Sequence, residues 1–410
     1  MGKIAVDKII NGLITRKVCV MHLDSLKIKN FRILEDVTIE KLGHVNLIVG
    51  KNNSGKTAIL EAIHLLASGF FPSSVMSIAR NRDDIKRVSI EERRTETRVA
   101  FENFFFGRRY PNIQDENIFI GDSKNHLTVS YIFYQEIETI EKSDDLTLVR
   151  TEQKIMINDN DNIGDYDGKY RPALQIKVAN EQSKIVDLEE DENLSYRKLQ
   201  SFKKLFNISN VESSVSSIDD LAKEWDNIIF SDDETHVIDA LRIIEPKIES
   251  LAFLSDDYQH LRFDRNRIIR GDEVRVPYVK LSGVEGRTPL HSMGDGVFRL
   301  LQIILKLFSA KNGFLLIDEF ENGLHYSVQP KVWELIFELA HRFNIQVFAT
   351  THSWDCIESF SQVAKDRTDM EGVLFRMGHS VRKSDKGKLI ATVFDEDDLY
   401  NLTKMNIEVR

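Results

Sequence analysis

Residues 49–59, VGKNNSGKTAI, constrain the fold of this chain more than any other segment. Residues 50–57 match the pattern G-x-x-x-x-G-K-[ST], in which a loop between a strand and a helix wraps around phosphate groups. The preceding VNLIVG is apolar, as in a buried strand, and the following KTAILEAIHLLASG has helical spacing and ends on Gly69. This context predicts a nucleotide-binding site in an α/β fold. The alternative is an ordinary glycine-bearing turn between a strand and a helix.

The loop predicts a role for most of its residues. Successive backbone N–H groups and a helix N-terminus bind phosphate, the lysine reaches the terminal phosphates, and the next hydroxyl holds Mg²⁺. Lys56 and Thr57 occupy those last two positions. The predicted nucleotide-binding residues are Gly50, Asn52, Asn53, Ser54, Gly55, Lys56, Thr57 and Ala58.

Composition narrows the class of protein. The chain has 410 residues, 42% of them hydrophobic, and no apolar run near the roughly 18–20 residues that a membrane span needs. Cys19 and Cys356 lack disulfide or zinc spacing, which favours a reducing cytoplasm and no membrane. The net charge of −10 argues against indiscriminate coating of nucleic acid, but a local basic patch could still bind it.

The pattern along the chain predicts four regions. Residues 1–20 read as a loosely attached extension, because Met21 could be a second start. Residues 21–120 form a first lobe with the phosphate loop, 121–265 an inserted β and helical region, and 266–410 a second lobe. The insertion contains strand-like segments of an antiparallel sheet, then a helical pattern that suits an oligomerisation or partner-binding arm. The predicted fold is thus α/β, with a mixed central sheet, an antiparallel β subdomain and an inserted helical arm.

Polar side chains follow two apolar strands of the second lobe. GFLLIDEF ends in Asp318, suited to the metal, and Glu319, suited to orienting or deprotonating an attacking water. NIQVFATTHS ends in His352, which could hydrogen-bond the terminal phosphate. The alternatives are a strand stopped by an acidic turn and a structural histidine.

A second anion-binding pattern lies at HSMGDG, which opens an amphipathic helix. Ser292, Gly294 and Gly296 place a hydroxyl and bare backbone at that helix start. One chain needs only one phosphate loop, so a second site suggests two chains that meet head to tail, each completing the nucleotide site of the other. The alternative is a simple helix cap.

Together these motifs resemble the ABC-type ATPase heads of the SMC, RecF and OLD (overcoming lysogenization defect) group. SLKIKNFRILEDVTIE is similar to the opening strands, GKNNSGKTAILEAI to the Walker A helix, SMGDG to the ABC signature, and IDEFENGLHY to the Walker B segment and D-loop of OLD-like ATPases. The resemblance implies binding of ATP and Mg²⁺, with Thr57 and Asp318 at the metal. It also implies catalysis by Glu319, His352 and Lys56, and contact of Ser292 and Gly294 with ATP across a homodimer.

The resemblance has gaps. Gln114 is only a candidate for the Q-loop glutamine. OLD nucleases carry a Toprim nuclease domain after the ATPase, but only 58 residues follow His352, and their acidic run DEDD does not form that pattern. By analogy with this class, we expect an ATP-driven sensor or regulator of a separate effector protein, such as a nuclease, in bacterial anti-phage defence.

Two other functions compete with this expectation. A RecF-like DNA-repair clamp would bind duplex DNA in the ATP state, and the arginine-containing segments at 80–98, 108–109 and 262–270 are candidate phosphate contacts, unless they are ordinary salt-bridged surface. A transporter ATPase fits less well, because the signature is not Leu-Ser-Gly-Gly-Gln and ENGLH is foreign to that class.

Overall fold

The computed structural model describes residues 22–91, 94–111, 117–142, 148–156, 170–179, 181–188, 204–213, 218–255, 261–264, 267–270, 275–367, 369–385 and 387–394. The expected extension at residues 1–20 and the Q-loop candidate Gln114 lie outside these residues.

The strands of the described residues alternate with helices in the first and last thirds of the chain. In chain order they are β1 (Leu26–Phe31), β2 (Leu34–Ile39), β3 (Val45–Gly50), β4 (Ile85–Glu91), β5 (Arg94–Val99), β6 (Ile118–Gly121), β7 (His126–Lys142), β8 (Leu148–Met156), β9 (Arg171–Val178), β10 (Lys184–Asp187), β11 (Asn207–Val211), β12 (Ile248–Ser255), β13 (Leu261–Asp264), β14 (Arg267–Arg270), β15 (Arg275–Leu281), β16 (Thr288–Pro289), β17 (Gly313–Ile317), β18 (Gln346–Thr351), β19 (Gly372–His379) and β20 (Leu389–Phe394).

The α-helices of the described residues are α1 (Lys56–Ser68), α2 (Pro72–Asn81), α3 (Ile218–Asp226), α4 (Asp232–Leu241), α5 (Asp295–Ser309), α6 (Gln329–Phe343) and α7 (Trp354–Asp366). Short 3₁₀ helices span Phe101–Phe104, Leu290–Met293 and Lys383–Asp385. Helix ends follow local chemistry: α1 stops where Gly69 adopts a left-handed conformation, and the Ser353 side chain accepts from the Cys356 N–H at the start of α7.

A six-stranded sheet in the order β11-β17-β18-β3-β19-β20 forms the centre of the molecule. Its first five strands are parallel, and β20 runs antiparallel to β19. The carboxyl ends of β3, β17 and β18 therefore meet at one edge of the sheet, where ligands bind in open α/β folds.

A second, antiparallel sheet has the order β10-β9-β7-β6-β1-β2, with β8 also paired to β7. Smaller sheets are β12-β15-β16, β13-β14 and β4-β5. The predicted α/β class, mixed central sheet and antiparallel β subdomain are confirmed.

The central sheet separates two hydrophobic cores because the side chains of a strand point alternately to its two faces. Val45, Leu47 and Val49 of β3 pack with helices α3 to α7 on one face. Ile48 packs on the other face with α1 and the antiparallel sheet. The strand that leads into the phosphate loop is thus packed against a hydrophobic core on both faces.

Parts of the segment 121–265 belong to the central sheet and its hydrophobic core. β11 pairs in parallel with β17 inside the central sheet. Leu221 and Trp225 of α3, with Val237 and Leu241 of α4, are buried in the same core as α5. The four-region division remains a prediction, but these helices pack in the core on one face of the central sheet and do not extend from it as an arm.

Among the residues that the structure describes, no helix combines the length and apolar character needed to cross a membrane.

Candidate nucleotide-binding site

The phosphate loop connects β3 to α1 and needs glycine at both ends. Gly50 has φ of 149°, and a Cβ there would lie 2.4 Å from the Met377 carbonyl oxygen and 2.6 Å from Ser54 Oγ. Gly55, at φ of 89°, precedes α1, and its Cβ would lie 2.7 Å from Leu34 Cδ2. Larger residues would therefore distort the loop.

Lys56 lies inside this loop. Its ammonium Nζ donates to the carbonyl oxygens of Gly50 at 2.9 Å and Lys51 at 3.1 Å, and lies 3.5 Å from His352 Nδ1. Burial lowers the pKa of Lys56, while the charges of Asp318 and Glu319 act in the opposite direction. The buried Ser54 Oγ beside it has no hydrogen-bond partner among the described residues, so the loop keeps a free polar group that a phosphate oxygen would satisfy.

The two carboxylates follow β17 directly, as the sequence predicts. Thr350 of the neighbouring strand β18 donates its hydroxyl to Asp318 Oδ1 at 2.6 Å and accepts from the Glu319 N–H at 2.8 Å. Glu319 has φ of 51°, a conformation that turns the chain sharply, and its Oε2 accepts from Asn322 Nδ2 at 2.7 Å. These hydrogen bonds therefore fix the orientation of the two carboxylates.

His352 is held by the segment that follows Glu319. Glu321 accepts from the His352 N–H at 2.7 Å and from the Thr351 hydroxyl at 2.7 Å. This places the histidine ring near the Lys56 ammonium. The ends of β17 and β18 therefore form one hydrogen-bonded unit beside the phosphate loop.

A cleft of about 480 Å³ brings these predicted residues together. It is lined by loop residues 52–58 and by Asp318, Glu319 and His352. Its volume falls in the range of small-molecule sites, roughly 300–1,000 Å³. Ser292, Gly294 and Gly296 are not among the residues that line it.

The signature segment forms a separate exposed surface. Ser292 lies within the 3₁₀ helix Leu290–Met293 and donates its hydroxyl to the Pro289 carbonyl at 2.7 Å. Gly294 has φ of 95° and open space around it. Gly296 packs so closely on the segment after β17 that a Cβ would lie 2.8 Å from the Gly323 carbonyl oxygen.

Sequence reasoning missed an ion cluster at the mouth of the cleft. Arg32, just after β1, forms ion pairs with Glu61 at 3.1 Å and with the buried Asp84, and its guanidinium stacks 4.4 Å from the Phe104 ring centre. Arg108 reaches the same Asp84 at 3.2 Å. The available sequence signal was the stretch NFR, which ends β1 and places Arg32 directly after it, but the partners of Arg32 lie 29 and 52 residues away in sequence.

A second missed feature is the end of β11. A cavity of about 360 Å³ on the other side of Thr57 and Asp318 is lined by Asn210 and Glu212. The Nδ1 atom of the half-buried His64 of α1 lies 2.7 Å from Asn210 Nδ2, and desolvation lowers the pKa of His64 to about 4, so its ring is neutral at physiological pH. No short motif marks this strand end, because its position depends on pairing with β17 more than 100 residues later.

Comparison with known proteins places this geometry in context. A family model described as the AAA ATPase domain matches residues 21–357. The chain is similar to a Helicobacter pylori protein named ATP/GTP phosphatase, with 23% identity over 366 residues, 84% of this chain and 89% of that protein. It is also similar to the DNA replication and repair protein RecF of Acinetobacter baumannii, with 53% identity over 49 residues, only 12% of this chain and 14% of that protein.

Among solved structures, the chain is similar to an Smc head bound to the C-winged helix domain of ScpA, with a TM-score of 0.44 and 16% identity, over 92% of this chain and 98% of that chain. It is also similar to an Smc head domain with an extended coiled coil, bound to the C-terminal domain of ScpA from Pyrococcus furiosus. Here the TM-score is 0.43 at 12% identity, over 94% of this chain and 99% of that chain.

Proposed function

Since the chain belongs to the AAA ATPase domain family and is an SMC/RecF-like ABC-type ATPase, we propose that it hydrolyses ATP in a site shared by two copies and thereby controls a separate effector. The observation that carries this proposal is the single cleft in which residues 52–58 face Asp318, Glu319 and His352.

The residues of the cleft suit ATP and Mg²⁺. The Ser54 hydroxyl and the Lys56 ammonium are buried polar groups directed into the loop, where phosphate oxygens would accept their hydrogen bonds. Thr57 and Asp318 both line the cleft and would supply the protein ligands for Mg²⁺, which keeps most of its other positions for phosphate and water. The metal neutralises phosphate charge when bound.

Glu319 and His352, the two other predicted side chains of the cleft, each have a role in hydrolysis. Glu319 accepts the proton of the water that attacks the terminal phosphorus, the bond to the bridging oxygen breaks, and ADP and phosphate leave. His352 donates to the terminal phosphate. Because Glu321 accepts a hydrogen bond from the His352 backbone N–H, binding of that phosphate is coupled to the segment after β17.

Glu319→Gln tests this assignment. We expect the variant to bind ATP as the wild type does, to lose hydrolysis by at least about a hundredfold because the amide cannot accept the proton, and to accumulate as an ATP-bound dimer. Phosphate release, binding of a fluorescent ATP analogue and sedimentation velocity measure the three effects. Turnover equal to that of the wild type would refute the role of Glu319.

The effector is a separately encoded protein in this proposal, and the context is defence against bacteriophages. The support is the resemblance of the segment IDEFENGLHY to the Walker B segment and D-loop of OLD-like ATPases. Affinity purification of the native chain, expressed with its neighbouring genes and with or without ATP, should recover that protein. Deletion of either gene should then abolish protection in a phage plating assay.

The RecF similarity favours a second candidate, a clamp that closes on duplex DNA when ATP binds. Three cations of the candidate basic segments are already paired: Arg82 with Glu61, Lys86 with Glu102, and Arg108 with Asp84. The side chains of the arginine-rich hairpin β13-β14 lie outside the described residues.

Salt dependence tests the clamp. DNA binding through phosphate contacts should require ATP and weaken steeply, by about 10³-fold or more, between 50 and 200 mM salt for a protein that contacts six or more phosphates. Fluorescence anisotropy with Glu319→Gln and ATP measures it. Binding that is insensitive to salt, or no binding with ATP present, would exclude this second candidate.

A further inference from the structure

Phe230, in the turn between α3 and α4, is an aromatic residue that the fold leaves in solvent, with 94% of its surface exposed. The two residues before it behave differently, because Ile228 is 6% exposed and Ile229 packs against the core that contains α3 to α7. The Ser231 N–H donates to the Ile228 carbonyl at 3.0 Å. The turn is therefore fixed on the core, while the Phe230 ring contributes nothing to it.

The backbone at Phe230 has a conformation that bulky residues rarely adopt. Its φ of 67° lies in the left-handed region, which glycine and asparagine enter more easily. The Phe230 N–H donates to Glu234 Oε2 at 2.9 Å, and the Ser231 hydroxyl accepts from the Asp233 N–H at 3.2 Å. These contacts cap α4 through backbone N–H groups, so they do not account for an aromatic side chain at position 230.

Packing at the helix start does not use the ring either. An apolar residue just before the helix cap often packs against the fourth residue of the helix. Here the cap is Ser231, and the fourth residue of α4 is Thr235, which is polar and exposed. Phe230 therefore combines a strained backbone with an unburied ring, and such strain is typical of binding sites.

The surface beside Phe230 is acidic. Asp232 is exposed and Glu234 is partly exposed, and neither forms an ion pair within the part of the chain that the structure describes. Two neighbouring carboxylates are already paired, Asp226 with Arg275 and Asp233 with Lys311. An exposed ring beside unpaired carboxylates is complementary to an apolar pocket that lysine or arginine side chains border.

Charge decides among the possible occupants of this surface. Asp232 and Glu234 would repel the phosphates of nucleic acid. A second copy of the chain carries the same net charge of −10, which disfavours it at an acidic surface. A separate protein with a basic surface fits both the ring and the carboxylates.

We propose that Phe230 binds the effector of the proposed function by inserting its ring into an apolar pocket of that protein, bordered by lysine or arginine side chains. The inference rests on the proposed function, which requires such a separate protein. The Glu224–Lys306 ion pair at 2.7 Å joins α3 to α5, the helix that begins directly after Gly294. The effector site is therefore connected through packed helices to the signature segment.

Phe230→Gly separates binding from folding. Glycine removes the ring and suits the left-handed backbone, so the thermal unfolding temperature should equal or exceed that of the wild type. ATP hydrolysis should be unchanged, because Phe230 does not line the cleft. A fall in the unfolding temperature of more than about 4 °C would show that the ring supports the fold, and would overturn the proposal.

The binding probe is the protein that co-purifies with the native chain when its neighbouring genes are expressed with it, purified on its own. Phe230→Gly should weaken the affinity of the chain for this protein by at least about thirtyfold, as expected on loss of a central aromatic contact of an interface. Asp232→Lys should also weaken it. The matched control is Val381→Gly, at a residue that is 98% exposed in the turn between β19 and β20, with no change expected.

A photoreactive aromatic residue, benzoylphenylalanine, shows what occupies this surface. Placed at position 230, it should crosslink the chain to the effector on irradiation, whereas at position 381 it should not. Crosslinks only to a second copy or to nucleic acid, no crosslink at all, or an unchanged affinity of Phe230→Gly for the effector would each overturn this proposal and leave the ATPase with its effector intact. If no protein co-purifies with the wild-type chain, control of a separate effector is overturned together with this proposal.

Discussion

Arg299 is a buried cation that joins three backbone segments of the nucleotide site. It is 5% exposed, and its guanidinium donates to the carbonyl oxygens of Glu212 at 2.5 Å, Asp318 at 2.8 Å and Glu319 at 3.1 Å. Burial lowers the pKa of Arg299 to about 10, so it stays charged at neutral pH. Arg299 lies one helical turn after the signature segment and is thus a positioning residue that links α5 to the carboxylates.

Arg299→Ala should lower both stability and kcat. Each carbonyl left without a donor costs about 1–3 kcal/mol, and the turn that aims Glu319 loses its support. Arg299→Lys should fold better but remain slow, because a single ammonium cannot bridge three carbonyls as the planar guanidinium does. Thermal unfolding, ATP affinity and kcat should be measured together. If kcat is unchanged in a folded Arg299→Ala variant, Arg299 has no positioning role.

At the scale of elements, the motifs that could be predicted from sequence are those contained in one stretch of chain. The phosphate loop, the carboxylates after β17 and the histidine after β18 each follow a buried strand directly, so their types and neighbours are visible together. The structure brings all three to one cleft. The predicted relationship to SMC/RecF-like ABC-type ATPases, which rested on these stretches, is confirmed by the AAA ATPase domain match together with the similarities to the ATP/GTP phosphatase and to RecF.

Elements whose role depends on distant pairing could not be predicted. β11 has the sequence NISNV, which is short and largely polar, and it resembles a loop when read alone. Its place in the central sheet comes from pairing with the apolar β17, and that pairing brings Asn210 and Glu212 to the cavity that Thr57 and Asp318 also line. The same limit applies to Arg32, because its carboxylate partners come from other elements.

At the scale of the whole molecule, the residues that we propose for one nucleotide lie at two separate places on the chain. Loop residues 52–58 and Glu319 line the cleft, whereas Ser292 and Gly294 are exposed outside it. A signature that closes over a nucleotide must then act on another copy. This division supports the proposal that bound ATP holds two copies of the chain together, and that the closing and opening of this dimer is the functional result.

Ser292→Arg separates dimer closure from folding. Ser292 is exposed, and its hydroxyl donates locally to the Pro289 carbonyl, so an arginine there should change the free energy of unfolding by no more than about 0.5 kcal/mol. In the closed dimer, the long cationic side chain would occupy the space of the nucleotide of the other copy. We expect ATP binding to the single chain to persist and hydrolysis to be abolished.

The matched control is Ser123→Arg, the same change at an exposed serine between β6 and β7 of the antiparallel sheet, where no loss of activity is expected. Thermal unfolding, ATP affinity and phosphate release should be compared for the two variants, with sedimentation velocity in the Glu319→Gln background to detect the dimer. A Ser292→Arg chain that hydrolyses ATP at the wild-type rate would show that the signature segment does not complete the site. Hydrolysis would then take place in the cleft of a single copy, and ATP would not hold two copies together.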